Sequence, residues 1–113
     1  MKMRHGMTCK RGDIVLINFP FTTLLESKKR PVLVIKSENE HHDFVCFQIT
    51  SKATQSNIYL IDGMDIADGN LKLESYVKYD KCFTLNSELV DKKLASVNVI
   101  LMEKLKKLFC DAL

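Results

Sequence analysis

Lys28-Lys29-Arg30-Pro31-Val32-Leu33-Val34-Ile35-Lys36 is a run of three cations that meets a proline and opens onto residues rich in Val and Ile. An apolar run this short and this β-branched has the composition of a strand covered on both faces. Pro31 fixes its own φ and biases Arg30 toward extended geometry, so the guanidinium stands at the root of a rigid element. That is a way to hold an arginine that reads phosphate or works on it. The plain alternative is a solvated cationic loop before a core strand, and it stays open until other residues are weighed.

Working outward, Ile14-Val15-Leu16-Ile17-Asn18-Phe19 predicts a first buried strand after a turn at Arg11-Gly12-Asp13, ended by Pro20. Residues 21–27 lack periodicity and predict an exposed loop of the kind that closes over a ligand. Beyond the Val32–Lys36 strand, the polar stretch 37–43 links to a third strand, Phe44–Ile49, which runs straight into Thr50-Ser51-Lys52. Ser56–Ile61 predicts a fourth strand. Met64–Asn70 predicts one helical turn closed by Gly69, with Leu71–Ser75 returning the chain to the sheet. Tyr76–Leu85 alternates over enough length for a strand that bends across two halves of a sheet. An N-capped turn at Asn86–Val90 and a short strand at Lys92–Val97 follow. Asn98 is a suitable N-cap, Val97 and Met102 form a hydrophobic staple, and Val99, Met102, Leu105, Lys106 and Phe109 recur at helical spacing.

Five or six short strands and one C-terminal helix, without βαβ alternation, give a mainly β fold: a small barrel or curled sheet with the helix over an open edge. The 113 residues form one domain, 11–113, preceded by a flexible arm at 1–10. With 46% hydrophobic and 27% charged residues the chain reads as an ordinary folded globule. A net charge of +3 permits a polyanionic partner without requiring one. Cys9, Cys46, Cys82 and Cys110 are widely spaced, which argues against a zinc knuckle and for reduced thiols. No apolar run approaches a membrane span or a leader, so a cytoplasmic protein is expected.

If the second and third strands are antiparallel neighbours, Arg30 and Thr50 face each other. A guanidinium offers a bidentate fork to phosphate oxygens and a hydroxyl adds a short donor. His41 and His42 sit in a charged loop, and Asp13 and Asp80 suit turns or lysine pairing better than a carboxylate dyad. Strand aromatics such as Phe83 more often fill core than stack on bases, and Phe21, in a loop, is the better stacking candidate.

Gly12-Asp13-Ile14-Val15, Phe19-Pro20-Phe21-Thr22, Lys28–Ile35, Ile49-Thr50-Ser51-Lys52, Ser75–Lys81 and Thr84-Leu85-Asn86 resemble, in order and spacing, the PemK/MazF family of toxin–antitoxin endoribonucleases. No single block is diagnostic, whereas the ordered set is specific and spans nearly the whole chain. The resemblance implies an SH3-like barrel, a homodimer, a cognate antitoxin with an acidic, amphipathic segment, and metal-free, sequence-preferring cleavage of single-stranded RNA, mRNA foremost. Attack by the ribose 2′-hydroxyl leaves a 2′,3′-cyclic phosphate, with no cofactor. It implies Arg30 and Thr50 as catalytic residues, with Lys28, Lys29, Ser51 and Lys52 on phosphates and Ser75 near the groove. Family members often carry Gln and Arg where this chain has Lys81 and Phe83, so base preference should differ. The rival expectation is a non-catalytic toxin of the same fold that grips a topoisomerase or other protein.

Overall fold

The computed structural model describes residues 8–18 and 29–113. Among the described residues seven strands form one antiparallel sheet: β1 Asp13–Asn18, β2 Lys29–Lys36, β3 Asp43–Thr50, β4 Ile58–Leu60, β5 Ile66–Gly69, β6 Tyr76–Asn86 and β7 Val90–Val97, ordered β4-β6-β3-β2-β1-β7-β5. One helix, α1 Val99–Asp111, ends the chain, and short 3₁₀ turns lie at Gly63–Asp65 and Ser87–Leu89.

Connectivity forces this sheet to curl. β6 and β7 are four ladders apart in the order yet are joined by three residues. Four ladder spacings in a flat sheet span about 19 Å, whereas the connection at 3₁₀ rise covers only about 8 Å. The edge strands β4 and β5 are likewise joined by the short stretch 61–65. No ladder between described strands joins those two edges, so the expected barrel is a nearly closed sheet.

Curling gives the central strands two buried faces, as the Val/Ile-rich run predicts. The inner face holds Val15, Ile17, Val32, Val34, Phe44, Cys46, Leu85 and Val90. The outer face packs Ile14, Leu33, Phe47, Ile49 and Val77 against Leu101, Met102 and Leu105 of α1. The helix therefore covers a sheet face, where an open edge was expected. Asn98 caps it by accepting the Leu101 N–H at 2.9 Å, and Phe109 meets the edge of Phe47 with centroids 5.5 Å apart. Val99, expected in the buried stripe, is exposed, and Leu101 takes its place.

Several boundaries differ from the sequence reading. Among the described residues β2 begins at Lys29, so Lys29 and Arg30 lie inside the strand. Gly69 ends a strand in place of a helical turn, and 71–75 stay outside the sheet. Within the stretch read as an arm, Cys9 is buried: its N–H donates to Glu38 Oε1 at 2.8 Å, and its carbonyl accepts from the Glu38 N–H at 3.0 Å. None of the four cysteines is in a disulfide, and Cys82 and Cys110 are exposed. Burial, with Cys82 and Cys9 nearby, pushes the Cys46 thiol up to about 12, so it stays protonated and inert. The loop expected at 21–27 lies outside the described residues.

Candidate active site

β2 and β3 pair with Val32 opposite Gln48, Leu33 opposite Phe47 and Val34 opposite Cys46. The same register carried to the start of β2 sets Arg30 opposite Thr50. Side chains alternate along a strand, so Arg30 shares the face of Val32 and Val34, and Thr50 shares that of Phe44 and Cys46. Both belong to the inner face, at its open end. On β6, Tyr76 pairs with Thr50 and Lys78 with Gln48. One end of this face is thus apolar core, and the other gathers Arg30, Gln48, Thr50, Tyr76 and Lys78.

Arg30 is exposed, whereas Thr50 is 9% exposed and Lys78 8%. The Thr50 hydroxyl oxygen accepts from the Lys52 N–H at 3.1 Å and from Gln55 Nε2 at 3.3 Å. Lys78 Nζ donates to the Ser56 carbonyl at 2.8 Å and to Asp80 Oδ1 at 3.0 Å, which satisfies a nearly buried ammonium. The β3–β6 register jumps from Phe47↔Cys82 to Gln48↔Lys78, so residues 79–81 form a bulge opposite no residue of β3. The hydrogen bond from Lys78 holds the Asp80 carboxyl below its ordinary pKa, aided by Asn57. Burial, then the hydrogen bond with Glu74, raises the Tyr76 phenol, so it is un-ionised at neutral pH.

The other residues singled out in the sequence fall in several places. Lys28 and Phe21 lie outside the described residues. Lys29 is exposed and paired with Asp91 at 3.2 Å, so its charge is already partly neutralised. Ser51 and Lys52 are exposed just past Thr50, and Lys81 is exposed on the bulge. Ser75 is buried, donates to the Leu73 carbonyl at 2.9 Å, and alternates to the face of Val77, away from Thr50. Phe83 packs against the inner core. His42 pairs with Glu38 at 2.8 Å, outside this cluster.

Sequence reasoning missed Lys78, Tyr76, Gln48 and Gln55. For the first three a signal existed, since period-2 counting from Thr50 and along β6 puts them on one face once strand order is known. Gln55 had none, because a loop residue is placed only by the path of its loop.

The sequence model of the PemK-like, MazF-like toxins of type II toxin–antitoxin systems matches residues 10–113. No curated protein matches by sequence. Among solved structures, MazE–MazF from Deinococcus radiodurans superposes with a TM-score of 0.73 at 16% identity, over 94% of this chain and 95% of that one. An endoribonuclease from a mycobacterial species gives 0.71 at 18% identity, over 96% and 94%. A mycobacterial endoribonuclease in complex with its cognate antitoxin gives 0.68 at 18%, over 91% and 90%. At these identities the structures speak for the fold, and the match of the family model over nearly the full length assigns the chain itself. This protein belongs to the PemK-like, MazF-like toxin family of type II toxin–antitoxin systems.

Proposed function

We propose that this chain is an endoribonuclease that cleaves single-stranded RNA without a metal ion, leaving a 2′,3′-cyclic phosphate. The observation that carries this reading is the β2–β3 register, Val32 opposite Gln48, whose continuation by two residues brings Arg30 opposite Thr50 on one sheet face. In the reaction the 2′-oxygen bonds to phosphorus, the bond from phosphorus to the 5′-oxygen breaks, and the 2′-hydroxyl proton is lost while the 5′-oxygen gains one. Negative charge builds on the two non-bridging oxygens. Arg30, permanently cationic, neutralises that charge and holds both oxygens in its fork, and Thr50 adds a short hydrogen bond to one of them. A guanidinium is a poor base, so Arg30 acts here as an electrostatic clamp.

Ser51 and Lys52 are exposed just past Thr50 and Lys81 is exposed on the β6 bulge, and these side chains suit phosphates flanking the cut. An unpaired strand is the fitting substrate, because a phosphodiester whose ribose turns freely can bring the 2′-oxygen in line. The protein partner in this reading is a cognate antitoxin whose acidic segment competes with RNA for the same cations. A homodimer is the working assembly.

The test is incubation of the purified protein with a long single-stranded RNA in excess EDTA, with the cut ends mapped and their chemistry read. Discrete cuts bearing cyclic phosphate, and none in the matching DNA, are expected. Intact RNA from a folded protein would move the weight to a non-catalytic toxin that binds a protein target, as would cleavage that requires added metal to a different mechanism.

A further inference from the structure

A threonine oxygen has two acceptor lone pairs and one hydrogen to give. At Thr50 both lone-pair positions face donors, the Lys52 N–H at 3.1 Å and Gln55 Nε2 at 3.3 Å. The only direction left to the hydrogen is away from those two donors. The hydroxyl is thereby set as a donor, the role a phosphoryl oxygen requires of it.

Gln55 needs help to stay in place. It sits in the β3–β4 loop, where Ser51, Lys52, Ala53, Thr54, Ser56 and Asn57 are all exposed, so no apolar anchor fixes that loop. The β6 bulge fixes it instead. Lys78 Nζ donates to the Ser56 carbonyl at 2.8 Å, Asn57 Nδ2 to Asp80 Oδ2 at 3.2 Å, and the Tyr79 N–H to the Asn57 carbonyl at 3.1 Å. Lys78 and Asp80 are also bound to each other. Asn57 takes a left-handed φ of 57°, a conformation that Asn tolerates better than most residues.

We infer that Gln55 is a positioning residue that makes Thr50 an obligate hydrogen-bond donor, and that Lys78 and Asp80 hold Gln55 there by fastening the 51–57 loop to the β6 bulge. This rests on the endoribonuclease reading for what the donor acts upon, whereas the fastening itself does not depend on it.

Gln55→Ala frees one lone pair and lets the hydroxyl turn, and Gln55→Glu replaces a donor with an acceptor that draws the hydroxyl hydrogen inward. On a short RNA carrying one mapped cut site, Gln55→Ala should lower kcat about 5- to 20-fold with KM little changed, and Gln55→Glu should lower it further. On a Thr50→Ala background Gln55→Ala should cost nothing more, because the group it positions is gone. Full activity of Gln55→Ala, or an equal loss on both backgrounds, would overturn the inference. The fastening is read separately by amide hydrogen exchange at Lys52, whose N–H donates to Thr50. Lys78→Met should speed that exchange at least tenfold, and Lys78→Arg should restore protection; unchanged exchange in Lys78→Met would refute it. Should the wild-type protein cut no RNA, the enzymatic reading fails on its own assay, and the exchange data still decide whether the bulge holds the loop.

Discussion

Asp80 shows how one carboxylate works at a distance from chemistry. It accepts from Lys78 and from Asn57, and the first of these bonds chiefly lowers its pKa. A depressed folded pKa means that Asp80 contributes stability above its unfolded value, a contribution lost as pH falls through the folded value. The bulge should therefore grip the loop at neutral pH and release it only in acid, below the ordinary aspartate range. Following the Asp80 carboxyl by NMR should give a midpoint below that of an unstructured peptide, and Lys78→Met should move it back upward; a midpoint unaltered by that change would disconnect the pair. Residue by residue, legibility divides by element. That Arg30 and Thr50 share one face could be expected because each abuts an apolar run whose pairing brings strand start to strand finish. Ser75 could not be placed, since its orientation depends on a register that only the folded β6 reveals.

The element scale has its own surprises, and β6 holds most of them. Its alternating sequence announced a long strand, but Tyr79-Asp80-Lys81 alternates as smoothly as the rest, and nothing local marks it as a bulge. The bulge exists because β6 must pair with β3 over both halves while the sheet curls between them. β5 was misread for a related reason. Asp62-Gly63-Met64-Asp65 does start a helix-like turn, with a reciprocal cap between Asp62 and Asp65, but from the next residue, Ile66, pairing with β7 wins. Gly69 then looks like a helix stop and is a strand end instead, at a φ of 78°. A Cβ on Gly69 would lie 2.5 Å from the Leu94 carbonyl oxygen and 2.9 Å from Ala95 Cα, so β5 could not keep its place on β7. Gly69→Ala should cost about 2–4 kcal/mol, from the strained φ and the displaced backbone together. Denaturant unfolding checks this against Gly63→Ala, where a Cβ meets nothing within 4 Å and the change should be small.

For the whole molecule, topology builds the site. Two connections too short for a flat sheet wrap the seven described strands around an apolar core, and the β2–β3 register, continued past Val32 and Gln48, puts Arg30 and Thr50 at one end of that wrapped face. α1 buries Leu101, Met102 and Leu105 on the opposite face, so the central strands are held from both sides. Among the described residues no helix is long and apolar enough to cross a membrane. The mainly β class with a terminal helix was legible because every strand signal was short and the one strong 3.6-residue stripe came last. The curl was not, because it follows from which distant strands pair, and local sequence carries little of that information. The proposed function rests on the Arg30 guanidinium, and its most direct measurement is the single-turnover rate of RNA cleavage by wild type and by Arg30→Ala, both shown to be folded by circular dichroism. Removing the clamp on the transition-state phosphate should slow the cut by about 100-fold or more, with RNA binding far less affected. An Arg30→Ala protein that cleaves the same site at the wild-type rate would contradict the assignment of this face as the active site.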